Sequence, residues 1–199
     1  MSSRMPYLYL AAAEDKLASA YAEAFENVEQ VEITRVDFAS FMDTHPAVDG
    51  IVSPANSFGL LTGGYDRAIR DYFGKELQKA VRDKIQQEWY GEQTVGTSMA
   101  VNIPGHPGKT LIHTPTMRTP SVILDYQIVY LCTRSALMAA MNEGVQALLM
   151  PAFCAGAGKV PAEVVARNMR SAYDQIKDQI DNPHMAVFRT ATQILHSER

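Results

Sequence analysis

Apolar positions along the chain alternate between two spacings. Short unbroken runs of strand length are separated by stretches in which apolar residues recur with the period of a helix face. Pro6 to Ala12 predicts a strand, and Asp15 to Phe25 a helix with Leu17, Ala20, Tyr21, Ala24 and Phe25 on one face. Val28 to Val36 contains a short strand, Phe38 to Met42 a turn or short helix, and Val48 to Ser53 a buried strand. Arg67 to Trp89 is the longest helical stretch, with Gly74 either ending a first helix or lying inside one. Thr94 to Ile103 and Thr110 to Thr114 predict an antiparallel pair joined by Pro104-Gly105-His106-Pro107-Gly108. Ile123 to Glu143 predicts a helix with Ile128, Leu131, Leu137 and Met141 inward and Gly144 at its C-terminal cap. Ala147 to Pro151 is a strand, Ala162 to Ile180 a helix opened by Pro161, and His184 to Thr190 a last strand.

This alternation predicts one three-layer α/β/α sandwich with a mixed central sheet, spanning residues 1–199 as a single domain. No internal repeat, low-complexity tract or linker divides it.

Two of the strands hand over to helices through glycine-containing loops, Pro54 to Asp66 and Ala152 to Val160. In open α/β sheets, ligands sit beyond the carboxyl ends of the strands. Helix N-termini there present unpaired N–H groups to an anion, and glycine lets the backbone come close. Two such loops on one sheet would grip a diphosphate from both sides. The plainer reading of Gly63-Gly64 and Gly156-Ala157-Gly158 is a pair of tight turns that serve connectivity.

Composition narrows the classes. The chain is 47% apolar and 20% charged, with a net charge of −4 and no basic run, which argues against a duplex nucleic-acid partner. No apolar run has the length of a membrane span, and no secretory leader is visible, so a cytoplasmic protein is expected. The two cysteines, Cys132 and Cys154, read as free thiols. Neither Cys-x-x-Cys nor His-x-x-x-His spacing occurs, so neither a metal nor a cofactor is expected.

At the two loops the residues resemble the macro domain, an ADP-ribose-binding module. The family's first loop reads Asn-Ala-Ala-Asn, then glycines, then an aspartate opening a helix. Here it reads Ser53-Pro54-Ala55-Asn56, then Leu60-Leu61-Thr62-Gly63-Gly64-Tyr65-Asp66. The family's second loop, Ser-Thr-Gly and then a proline before a helix, is similar to Cys154-Ala155-Gly156-Ala157-Gly158-Lys159-Val160-Pro161. Val36-Asp37-Phe38 resembles the family's Gly-Asp-Ile, and the segment LIHTPTMRTP its Ile-Ile-His. The likeness covers roughly residues 30–180, so the βα unit before Val28 looks like an N-terminal elaboration.

The resemblance implies roles. Asn56 would bond the distal ribose hydroxyls, and Asp66 would orient or activate a water beside that ribose, so these two carry any catalysis. Gly63, Gly64, Gly156, Ala157 and Gly158 would line the diphosphate, flanked by Ala55, Tyr65, Cys154 and Ala155. Asp37, with Phe38 beside it, would accept from the adenine amino group, and Phe188 would face the base. The plainer readings are a helix N-cap for Asp66, an exposed loop acid for Asp37, and core positions for Phe188, His113 and Cys154.

The sequence also departs from the family. Ser53 replaces the first Asn, Pro54 an alanine, and Gly158 stands where many relatives carry an aromatic. The implied partner is ADP-ribose or an ADP-ribosylated molecule. One reading is hydrolysis at the distal ribose; the other is a non-catalytic reader or scavenger of ADP-ribose-like signalling nucleotides, in phage or antiphage biology. Whether the chain is an enzyme, and in what oligomeric state, stays open.

Overall fold

The computed structural model describes residues 4–183. The first half of the order is β1 (Tyr7–Ala11), α1 (Asp15–Ala24), β2 (Val31–Thr34), α2 (Phe38–Thr44), β3 (Gly50–Ser53) and α3 (Gly64–Phe73). It continues with α4 (Glu76–Glu88), β4 (Met99–Asn102), β5 (Thr110–His113), α5 (Gln127–Asn142), β6 (Ala147–Pro151) and α6 (Ala162–Asp181). The strands form one six-stranded sheet in the order β2-β1-β6-β3-β5-β4. All neighbours are parallel except β4, which runs antiparallel to β5.

Strand alternation builds the three layers. Leu8, Leu10, Val52, Ile112, Leu148 and Met150 share one core with α1, α5 and α6. Their strand neighbours Ile51, Leu111 and Leu149 share the other with α2, α3 and α4. Successive side chains on a strand point to opposite faces, so a sheet covered by helices on both sides needs nearly continuous apolar strands. All four residues of β3 are buried, as that position demands.

The N-terminal βα unit is built into the sheet, one strand in from its β2 edge. β1 lies between β2 and β6, parallel to both, and α1 packs on α6. The Arg67–Trp89 stretch is two helices. Gly74, at φ +96°, ends α3, a backbone angle that costs glycine little.

The helix expected from Ile123 starts later, at Gln127, and residues 123–126 belong to a loop. Leu131, expected to face inward, is 44% exposed. The buried face of α5 is Val129, Cys132, Thr133, Ala136, Leu137 and Ala140. Its small residues let the helix sit close to α6 and the sheet, and that proximity outweighs the larger Leu131. Gly144 follows the helix with φ +74° as expected. The strand expected at His184–Thr190 lies outside the described residues. No helix among the described residues is long and apolar enough to cross a membrane.

Candidate functional site

β3 and β6 are neighbours in the sheet. The loops leaving their carboxyl ends, 54–63 and 152–161, therefore emerge side by side. Each runs straight into a helix whose N-cap lacks a side-chain hydrogen bond: Gly63 before α3 and Pro161 before α6. No side chain of the cap residue takes up the first-turn N–H groups of either helix, although in α6 Val164 N–H donates to Pro161 O at 3.0 Å.

Two cavities lie against these loops. The smaller, about 390 Å³, is lined by Ala55, Asn56, Gly63, Asp66, Ala157 and Gly158 among others, with Cys154 in its wall. The larger, about 770 Å³, runs toward Ala11–Glu14, Asp37, Phe38 and Ala155. Gly64, Tyr65, Pro151, Ala152 and Gly156 line both, so the two join into one trough across the strand ends. Every candidate residue from the sequence borders this trough, apart from Phe188, which lies outside the described residues.

The glycines divide into two kinds. A Cβ added at Gly63, Gly64 or Gly156 would meet nothing within 4 Å, so these positions border open space. A Cβ at Gly158 would come 2.5 Å from the Cys154 carbonyl oxygen. The second loop is tightly wound: Cys154 and Lys159 have positive φ, and Val160 N–H donates to the Cys154 carbonyl at 3.1 Å. Gly158 is required by the loop itself, which leaves no room there for the aromatic side chain that many relatives carry.

The smaller cavity holds the unusual carboxyl. Ser53, fully buried at the end of β3, donates its hydroxyl to Asp66 Oδ1 at 2.7 Å. Burial pushes the Asp66 carboxyl up to about 7, and the Ser53 hydrogen bond pulls the other way. Asp66 is not the helix cap; Gly63 takes that position and Asp66 sits in the first turn of α3. The Asn56 side chain is engaged with its own loop. Its Oδ1 accepts from Phe58 N–H (3.1 Å) and Leu60 N–H (3.3 Å), and its Nδ2 donates to Leu60 O at 2.9 Å. That folds residues 56–60 into a turn. The second N–H of the amide has no acceptor among the described residues.

At the other end, Asp37 is the N-cap of α2. It accepts from Ser40 N–H (3.1 Å) and from the Ser40 hydroxyl (2.7 Å). These bonds, the hydroxyl first, hold its carboxyl below the usual range. Cys154 is buried, and burial pushes its thiol up to about 12, so it carries no thiolate for nucleophilic attack. His113 is fully buried with Nδ1 2.6 Å from Gln93 Oε1; desolvation pushes its pKa down to about 3, so it stays neutral.

The Macro domain family model matches residues 52–169. The chain belongs to the Macro domain family. An uncharacterized protein of Aquifex aeolicus (strain VF5) is 33% identical over 126 residues, covering 63% of this chain and 73% of the relative. Among solved structures, a mutant of the Oceanobacillus iheyensis macrodomain with ADPR superposes with a TM-score of 0.57 at 24% identity. That likeness covers 64% of this chain and 70% of the other. The macrodomain of Mycobacterium tuberculosis DarG gives a TM-score of 0.56 at 18% identity, covering 65% of this chain and 84% of the other.

In this macro domain the trough also has residues in its wall that pattern reading passed over. Thr116, Met117 and Pro120, from the loop after β5, line the smaller cavity. Thr116 N–H donates to Ala55 O at 3.0 Å and Ser57 N–H to Met117 O at 3.2 Å, which laces that loop to the first glycine loop. The same strand-end rule, applied to β5, points to them. Ser53 stands in the sequence only as a departure from the family; its bond to Asp66 is a property of the fold.

Proposed function

We propose that this macro domain binds ADP-ribose or an ADP-ribosyl derivative in the trough and hydrolyses a bond at the distal ribose. An ADP-ribosyl-protein or O-acetyl-ADP-ribose linkage is the substrate type. The observation that carries this is the trough itself: two cavities of unequal size meet along the backbone of both glycine loops, with a buried carboxyl at one end. Adenosine takes the larger cavity beside Asp37 and Phe38. The diphosphate lies at the junction, where Gly64 and Gly156 border both halves, and the distal ribose takes the smaller cavity. The Oceanobacillus iheyensis relative solved with ADPR supports the choice of ligand.

Asp66 is placed for proton transfer. A group with a pKa near 7 is present as both acid and base at neutral pH. As a carboxylate it accepts a proton from a water that attacks the anomeric carbon of an ADP-ribosyl-protein, or the acetyl carbonyl carbon of O-acetyl-ADP-ribose; the departing oxygen leaves with the bonding electrons and, where it leaves as an alkoxide, takes that proton back from Asp66. A binding-only role is the second reading, favoured by one observation: the Asn56 amide is largely engaged by its own loop rather than held out toward a sugar.

Calorimetric titration with ADP-ribose, against AMP and GDP-ribose, tests the reading. The expected result is saturable heat with ADP-ribose and weaker binding of the other two. No heat with any of the three would end it.

A further inference from the structure

The segment between β5 and α5 runs along the rim of the smaller cavity. At its start Met117 bridges to Asn56, and Met117 and Pro120 line the cavity. Further on, Ile123 N–H donates to Gly158 O at 2.9 Å, so the segment is tied to both glycine loops. Around that second tie it stands in solvent with large apolar side chains. Val122 is 60% exposed, Leu124 87% and Tyr126 42%. Leu131, in the second turn of α5, continues the apolar surface away from the cavity.

A single exposed apolar residue needs no explanation, but three within five positions of a loop beside a ligand cavity mark a surface that something covers. The charges around them say what kind of partner fits. Residues 118–127 hold one cation, Arg118, and Glu92 takes it up through two hydrogen bonds at 2.6 and 3.0 Å. Their one carboxylate, Asp125, accepts from Gln127 N–H at 3.0 Å. A nucleic-acid strand or an anionic membrane is held by free cations, and this loop offers neither a lysine nor an unpaired arginine. Apolar side chains of a polypeptide match it.

We propose that this apolar rim docks the polypeptide to which the ADP-ribose is attached, so that the preferred ligand is an ADP-ribosylated protein with apolar residues beside the linkage. This rests on reading the trough as an ADP-ribose site with the distal ribose in the smaller cavity. The group on that ribose then leaves the cavity past Met117 and Pro120, within a few residues of Val122 and Leu124. Each large apolar side chain withdrawn from water there adds affinity without touching the nucleotide.

Calorimetry on the full chain tests this with three probes. One is free ADP-ribose; the others are synthetic peptides that carry it through a glutamine amide, with leucines or with serines flanking the linkage. The amide stands in for the more labile ester of a glutamate. Wild type should bind the leucine peptide about tenfold tighter than the serine peptide. The double variant Val122→Ser, Leu124→Ser should lose that difference and keep its affinity for free ADP-ribose. It should melt within about 2 °C of wild type, since both side chains lie in solvent. Equal affinity of wild type for the two peptides would overturn the inference while leaving the ADP-ribose reading intact, and so would a preference that the double variant keeps in full. A double variant that melts several degrees lower would also overturn it, because the chain itself would then cover the patch. A wild-type dimer that the double substitution dissociates would do the same, with a second copy as the occupant. A wild-type protein that gives no heat with any of the three probes ends both readings.

Discussion

The two ends of the trough each hold one aspartate, and the fold treats them oppositely. Asp37 is exposed, caps α2, and is held below its ordinary range by Ser40. Asp66 lies in the smaller cavity with a single hydroxyl donor and is pushed up to about 7. Solvent and two hydrogen bonds favour the ion at one end; desolvation favours the neutral acid at the other. One end thus keeps a permanent acceptor, and the other keeps a group that titrates near neutrality.

The largest effect expected from breaking this contrast is on turnover. Asp66→Ala should lower the hydrolysis rate of an ADP-ribosylated substrate by about 100-fold or more, while calorimetry still detects ADP-ribose binding. Full turnover in that variant would remove Asp66 from the chemistry.

Stability against pH sharpens the same contrast. The folded Asp66 pKa of about 7 lies above its ordinary 3.8, so between those values the folded state keeps a proton that the unfolded state has lost. Stability from this group therefore falls as pH rises from about 4 to about 7, by roughly 2–4 kcal/mol. Asp37 works in reverse: its contribution is present above the ordinary carboxylate range and is lost as pH falls through its lowered folded value. Urea unfolding across this range checks the sign, and Asp66→Asn should flatten the fall.

A smaller effect separates the two kinds of glycine. Gly158→Ala should destabilise by about 1–3 kcal/mol in denaturant melts, because its Cβ meets the Cys154 carbonyl oxygen. Gly63→Ala should leave stability within about 1 kcal/mol, because its Cβ enters open space, and should instead weaken ADP-ribose binding. The smallest effect is expected at the exposed end. Asp37→Ala should lower the melting temperature by roughly 2–4 °C through the lost cap, and should narrow any preference for ADP-ribose over GDP-ribose.

Much of the fold was legible in the pattern. The βα alternation and the inward faces of α1 and α6 follow from periodicity, and the antiparallel β4–β5 pair from the Pro104–Gly108 turn. The face of α5 was not, because Leu131 looks like a core residue until the small residues Cys132, Ala136 and Ala140 are seen packed instead. At the site, the two loops and their glycines were legible as strand-end turns. The engagement of Asn56 by Phe58 and Leu60 was not, because an asparagine in a loop suits a turn and a ligand equally well.

Local chemistry is what the sequence by itself determined: which segments are strands and helices, where backbone turns need glycine, and that an aspartate follows each early strand–loop passage. Only the tertiary structure decided that β1 enters the sheet beside β6, that the two loops emerge together, and that Ser53 meets Asp66 across 13 positions of chain. Strand order and burial depend on contacts between distant segments, and a carboxyl's pKa depends on how much water those contacts exclude.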